Sequence, residues 1–211
     1  MALFAINGHE RTGFIASVKF RKRFFCFFSC PVKKRREIVF SRFILDKSII
    51  RMSILFRHIK QSDNQKIAEV IRKVFREFKI DKPGTVYTDP TTDDLYALFR
   101  KPGSIYWIAE EADIIVGGCG IFPTDGLPDG CVELVKFYVA ADYRGQGVGN
   151  SLMQKSIASA KELGYKQMYL ESFPELNKAV SMYIRSGFTY LPRALGNSGH
   201  FACNVWMLKE L

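Results

Sequence analysis

The sequence predicts a mixed α/β domain, and three observations predict it. Apolar runs of strand length alternate with segments whose apolar residues recur every three or four positions. One such run, Cys131 to Val139, passes through a glycine-rich turn into a long helical pattern. The hydrophobic fraction of 47% and charged fraction of 25% match average globular usage, and 211 residues suffice for one domain with an extension.

Taken in order, Ile54 to Ile59 reads as a first strand. Ser62 with Gln65 three positions on has the form of a capping box, and Ile67, Val70, Ile71, Val74, Phe75 and Phe78 mark the buried face of the helix it opens. Pro83-Gly84 breaks the chain, and Thr92-Asp93-Asp94 ahead of Leu95, Leu98 and Phe99 predicts a second, short helix. Ile105 to Ala109 and Ile114 to Phe122 form a hairpin across Glu110 to Asp113, and Cys131 to Val139 extends the sheet. A helix follows from about Gly147 to Leu163, with Gly164 as its stop. Then come a strand at Gln167 to Glu171, a helix at Leu176 to Ser186 stopped by Gly187, a strand at Phe188 to Leu191 and a last strand at Phe201 to Lys209.

Residues 1–51 are unlike the rest. They carry 12 Lys and Arg against 3 Asp and Glu and hold nine of the eighteen phenylalanines, whereas 52–211 carry 19 basic and 18 acidic residues. Three readings compete for this segment: a basic targeting or anchoring arm, a small folded appendage, or sequence upstream of the true start. The last is favoured, because Met52 stands where the regular pattern begins. The chain therefore divides into an extension, 1–51, and a domain, 52–211.

The five cysteines, Cys26, Cys30, Cys119, Cys131 and Cys203, show neither a CxxC pair nor a histidine at ligand spacing, so neither a metal site nor a disulfide framework is expected. Cys119 and Cys131 lie in apolar runs, as small buried hydrophobes of a reducing compartment do, and the expected location is cytoplasmic. No apolar run approaches the ~20 residues of a membrane span. With the net charge of +10 concentrated in the extension, no membrane partner is expected and nucleic acid is disfavoured.

The turn after Val139 reads Arg144-Gly145-Gln146-Gly147-Val148-Gly149-Asn150. Closely spaced glycines between a strand and a helix present backbone N–H groups at the positive end of that helix, with no Cβ in the way, which suits a phosphate. The turn lacks the Gly-Lys-Ser/Thr of a P-loop and the third glycine of a dinucleotide fingerprint.

Glu133 to Val139 followed by Asp142-Tyr143-Arg144-Gly145-Gln146-Gly147-Val148-Gly149 resembles motif A of the GNAT N-acetyltransferase superfamily. Asn177-Lys178-Ala179 with Tyr183-Ile184-Arg185-Ser186-Gly187-Phe188 is similar to that family's second signature. The resemblance covers about Met52 to Leu211. It implies a mostly antiparallel central sheet flanked by about four helices and splayed at a slot for acetyl-CoA, with no metal. It further implies that backbone groups of the Phe137, Tyr138 and Val139 stretch pair with the pantetheine arm. Gln146 to Asn150 and the Arg144 side chain would hold the pyrophosphate, with Asn177 and Tyr183 at the thioester.

The reaction so implied is direct attack of a primary amine on the thioester in a ternary complex. Tyr183 is then the candidate donor to the leaving sulfur, against a packing role beside Phe188. Glu133 is the candidate general base, directly or through a water, against a solvated strand position; strand alternation does not say whether its face or that of Lys136 meets the slot. His200, behind Gly196 to Gly199, is the other candidate base, against a structural loop histidine. Arg193 reads as a surface charge or a contact to an acidic substrate, and Cys203 as structural. The acceptor is a small-molecule or peptide amine, and a homodimer through the last strands is among the expected states. Two readings from other classes compete: a non-catalytic acyl-CoA sensor, and a nucleic-acid- or ribosome-associated protein that uses the basic extension.

Overall fold

The computed structural model describes residues 53–211, and the expectations for 1–51 lie outside them. Among the described residues one seven-stranded sheet has the order β1-β2-β3-β4-β5-β7-β6. Its strands are β1 Leu55–His58, β2 Ile105–Glu111, β3 Ile114–Phe122, β4 Cys131–Val139, β5 Gln167–Ser172, β6 Thr189–Tyr190 and β7 Val205–Glu210. Every neighbouring pair is antiparallel except β4 and β5. Four helices flank it: α1 Asn64–Glu77, α2 Leu95–Leu98, α3 Val148–Glu162 and α4 Asn177–Arg185. The mixed, mostly antiparallel architecture expected from the sequence is the one observed.

Each face of the sheet carries its own apolar cluster. On one, Ile67, Ile71 and Phe75 of α1 pack with Leu95, Tyr106 and Ile108; on the other, Leu152, Met153 and Ile157 of α3 and Val180 of α4 pack with Val116, Ile121 and Met168. The start of α1 differs from the expected capping box. A 3₁₀ turn at Gln61–Asp63 leads in, the Asp63 carboxylate accepts from the Lys60 N–H at 2.7 Å, and Gln65 reaches Glu69 instead. Asp63 wins because it also pairs with Arg57, which in turn holds Glu110 of β2 and ties strand, turn and hairpin together. The last strand begins at Val205 rather than Phe201, since the Cys203 N–H turns back onto the His200 carbonyl at 3.0 Å.

One irregularity shapes the site. Tyr138 pairs with Gly118 and Val135 with Gly120, so two residues of β4 oppose one of β3, and Lys136 takes the left-handed conformation at φ 48°. This is a β-bulge, which bends its strand. It is braced by Tyr106 of β2, whose hydroxyl donates to the Lys136 carbonyl at 2.9 Å. The Tyr106 ring fits because positions 118 and 120 are glycine; a Cβ at either would sit within 2.6 Å of that ring.

Candidate active site

The bulge opens the sheet. Pairing of β4 with β5 runs from Cys131 with Gln167 to Leu134 with Leu170 and stops there, although β5 continues to Ser172 against Val205 of β7. Between the parted ends lies a hollow of about 40 Å³, bordered by Phe137, Tyr138, Glu171, Tyr183 and Cys203. The Ala140 N–H donates to Val116 on the β3 side at 2.8 Å, so alternation turns the Val139 amide toward the opened edge.

At the far end of β4 the glycine turn leads into α3. Gly145 and Gly147 stand at φ 75° and 87°, and a Cβ built on either meets nothing within 4 Å. Glycine there serves the backbone conformation, and the space outside it is clear. Val148 is buried in the core while Gln146 and Asn150 are exposed, so the first turn of α3 is anchored from below and open above. The first N–H groups of a helix have no partner inside it, and together with the open glycine backbone they form an anion cradle. Arg144 is engaged elsewhere: Nε donates to the Val139 carbonyl at 2.9 Å, the guanidinium grips both Glu77 oxygens at 2.6 and 2.8 Å, and it lies over Phe78. To reach a phosphate it would have to leave Glu77.

Beside the hollow, on the α1 face, opens a cleft of about 460 Å³. The two share Glu133, Val135, Lys136 and His200, so these residues stand where cleft meets slot. The bulge explains a set that strict alternation would split. Leu134, Phe137 and Val139 point to the α3 face, while Glu133, Val135, Lys136 and Tyr138 all reach the cleft side. This corrects the alternation expected along β4, which set Glu133 and Lys136 on opposite faces.

Glu133 is 3% exposed and accepts from the Thr124 hydroxyl at 2.5 Å. Burial pushes its carboxyl up to about 7, helped by the nearby Glu171 charge and opposed by the Thr124 hydrogen bond. Glu171 accepts from the hydroxyls of Tyr169 and Ser198, each at 2.8 Å. Ligand atoms of Glu133, Glu171 and His200 all lie within 4.8 Å of one another. Behind them Lys136 Nζ donates to Asp89 Oδ2 at 2.6 Å, and His200 Nε2 lies 3.3 Å from the same oxygen. Burial would raise Asp89, but His200 and the Lys136 ammonium outweigh it and hold the carboxyl well below its usual range; burial lowers Lys136.

Tyr183 takes the packing position weighed for it, its ring between Phe137 and Phe188 at 6.2 and 6.0 Å, and it also borders the hollow. Burial pushes its phenol well above the ordinary value, so it stays protonated. Asn177 is the exposed first residue of α4. Arg193 is exposed and borders neither hollow nor cleft. Burial pushes the Cys203 thiol up to about 12, which removes it as a nucleophile at neutral pH. Sequence reasoning missed Glu171, Asp89 and Lys136 as site residues. Glu171 was legible as the carboxylate ending the expected strand, but only the register of β5 on β4, which pairs Glu133 with Tyr169, sets it two residues further along the same face of β5.

The family model described as acetyltransferase (GNAT) family matches residues 70–188. The chain is 39% identical over 166 residues to an uncharacterized N-acetyltransferase, YjgM, of Escherichia coli, covering 78% of this chain and 99% of that protein. It is 28% identical to human N-acetyltransferase 8 over 118 residues, about half of either chain. Among solved structures, a GNAT-family acetyltransferase of Staphylococcus aureus superposes with TM-score 0.65 at 21% identity, covering 75% of this chain and 99% of that one. The PaiA N-acetyltransferase of Thermoplasma acidophilum, solved with coenzyme A, gives 0.59 at 16% over 76% and 100%. YncA of Salmonella typhimurium, solved with acetyl-CoA, gives 0.59 at 19% over 75% and 94%. No described helix is long and apolar enough to cross a membrane. By the match of its sequence to the family model, and with a sheet that parts beside a glycine cradle, the chain belongs to the acetyltransferase (GNAT) family.

Proposed function

We propose that the protein transfers an acetyl group from acetyl-CoA to a primary amine by direct attack. One observation carries this reading: Glu133, a buried carboxyl pushed up to about 7, stands at the junction of an open cleft and the slot between the parted strands. A base poised near the working pH can both take and release a proton there. Acetyl-CoA, when bound, supplies an acetyl group on a thiol leaving group, and the chain offers what such a donor needs. The β4 edge at Phe137 and Val139 has backbone groups without a strand partner, and the Gly145 to Asn150 turn has a clear face for a pyrophosphate. The neighbours solved with coenzyme A or acetyl-CoA support the same donor.

The residues divide the work. Glu133 accepts a proton from the incoming ammonium, and the Thr124 hydroxyl fixes which oxygen faces the cleft. Tyr183, held protonated by burial, donates to the sulfur as it departs. Asp89 and Lys136 neutralise each other below, and Asp89 holds the His200 ring in place.

Calorimetric titration of acetyl-CoA into the full chain tests the cradle, with Gly147→Glu as the comparison. Saturable binding is expected, weakened at least about tenfold by a carboxylate set against the phosphates. The same titration with Tyr183→Phe separates binding from chemistry: affinity stays within about twofold while turnover falls roughly 10- to 100-fold. Absence of saturation at millimolar acetyl-CoA in the folded wild type rules the reading out.

A further inference from the structure

Given acetyl transfer at this site, we infer that its acceptor is a cationic amine with an apolar or aromatic body and no carboxylate beside the amino group, held as ammonium between Glu133 and Glu171. The charges along the cleft carry the argument. Its two lysines are already spent, Lys136 on Asp89 at 2.6 Å and Lys101 on Asp125 at 3.4 Å. The hydrogen bonds that reach Glu133 and Glu171 come from neutral hydroxyls, those of Thr124, Tyr169 and Ser198. Two carboxylates with oxygens less than 5 Å apart therefore meet at the reacting end without a paired cation of their own among the described residues.

Such an end attracts an ammonium and repels a carboxylate carried on the neighbouring carbon. Apolar side chains share the lining with polar ones: Leu98 and Phe122 border the cleft, Val135 stands beside Glu133, and Phe201, 84% exposed, has its ring against Gly84. A volume of about 460 Å³ suits a small arylalkyl or alkyl amine. Glu171 is the part that distinguishes this class. Its two oxygens are held by separate hydroxyls, those of Tyr169 and Ser198, which fix its orientation beside Glu133. The proton balance uses Glu133 and Tyr183: the ammonium gives one proton to Glu133, then the N–C bond forms as the C–S bond breaks. Tyr183 gives its proton to the departing sulfur and takes the second proton of the amine in its place, and Glu171 exchanges no proton.

The test compares phenethylamine with phenylalanine, and tryptamine with tryptophan, on the full chain, with thiol release as readout and acetyl-CoA affinity measured alongside. The amine of each pair is expected to exceed its amino acid in kcat/KM by about tenfold or more. Glu171→Gln keeps an acceptor for one clamping hydroxyl, offers an N–H donor to the other and removes the charge; it raises KM for the amines about tenfold, narrows the gap to the amino acids, and changes kcat less. Ser198→Ala loosens the clamp and keeps the charge, so its selectivity ratio stays near wild type. That comparison distinguishes a role of the charge from a merely structural one. Equal use of amine and amino acid, or neither turnover nor binding of the amines while acetyl-CoA binds normally, overturns this inference and leaves the acetyl-transfer reading standing. Loss of acetyl-CoA binding itself in the wild type overturns both.

Discussion

At the scale of single residues, Glu133 combines two effects that pull stability and function apart. Its carboxyl is buried and pushed from 4.5 up to about 7, so ionising it costs the folded state more than the unfolded chain. A raised carboxyl contributes fully below about pH 4.5, and that contribution is lost as pH rises through about 7. The upper bound on the loss is roughly 3 kcal/mol. Glu133→Gln, which preserves an acceptor for Thr124 but never ionises, is therefore expected to raise Tm by roughly 3–8 °C at pH 8.5 and to leave it near wild type at pH 4. The same change is expected to cut kcat/KM by roughly 10²- to 10⁴-fold and abolish a rise of wild-type rate with pH centred near 7. Thermal melts at the two pH values and a pH–rate profile check both halves. A variant that is destabilised at pH 8.5, or that keeps the pH profile, would show that Glu133 is ionised by other means or is not the base.

Between elements, the connection to watch is the one from α1 to the glycine turn. The Arg144 guanidinium is committed to Glu77 in the last turn of α1 and to the carbonyl ending β4. If Arg144 contributes to a bound pyrophosphate, it must give up Glu77, an exposed pair that contributes on the order of 1 kcal/mol or less. Glu77→Gln should then tighten acetyl-CoA binding up to about fivefold and Arg144→Ala weaken it. Unchanged affinity in Glu77→Gln would mean that Arg144 only splints the turn from below. The same scale shows what the sequence displays and what it hides. The strand–glycine–helix order from Cys131 to Glu162, the second signature at Asn177 to Phe188 and the amphipathic face of α1 depend on local periodicity and turn chemistry, and all are legible. The Lys136 bulge depends on Tyr106 reaching across two glycines of β3, a contact 30 residues away, so alternation misassigned the partners of Glu133. The start of α1 misled for a similar reason: the Arg57 pairing with Asp63 and Glu110 overrode the local capping pattern at Ser62. Glu171 and Asp89 became site residues only through the register of β5 on β4 and the return of the His200 loop across the cleft.

For the whole molecule, the site draws on both faces of the sheet. Tyr183 and the glycine turn belong with the α3 and α4 layer, the cleft with the α1 and α2 layer, and the bulged strand β4 passes between them. Among the described residues, 53–211, lie both apolar clusters, the glycine turn, the slot and the cleft. We propose that residues 53–211 carry the chemistry by themselves; residues 1–51 hold nearly all of the net positive charge. Removing 1–51 is expected to leave acetyl-CoA affinity and kcat/KM within about twofold of the full chain, because every residue proposed to bind acetyl-CoA or act on the amine lies within 53–211. Any binding of the full chain to nucleic acid should fall steeply with salt and disappear with the truncation, since it would come from the 12 basic residues of the extension. Calorimetry with acetyl-CoA and a salt series with a duplex oligonucleotide, each run on the two lengths, read the two effects separately. A truncated protein that folds but loses acetyl-CoA affinity tenfold would place part of the extension at the cradle and assign its basic residues to the cofactor's phosphates.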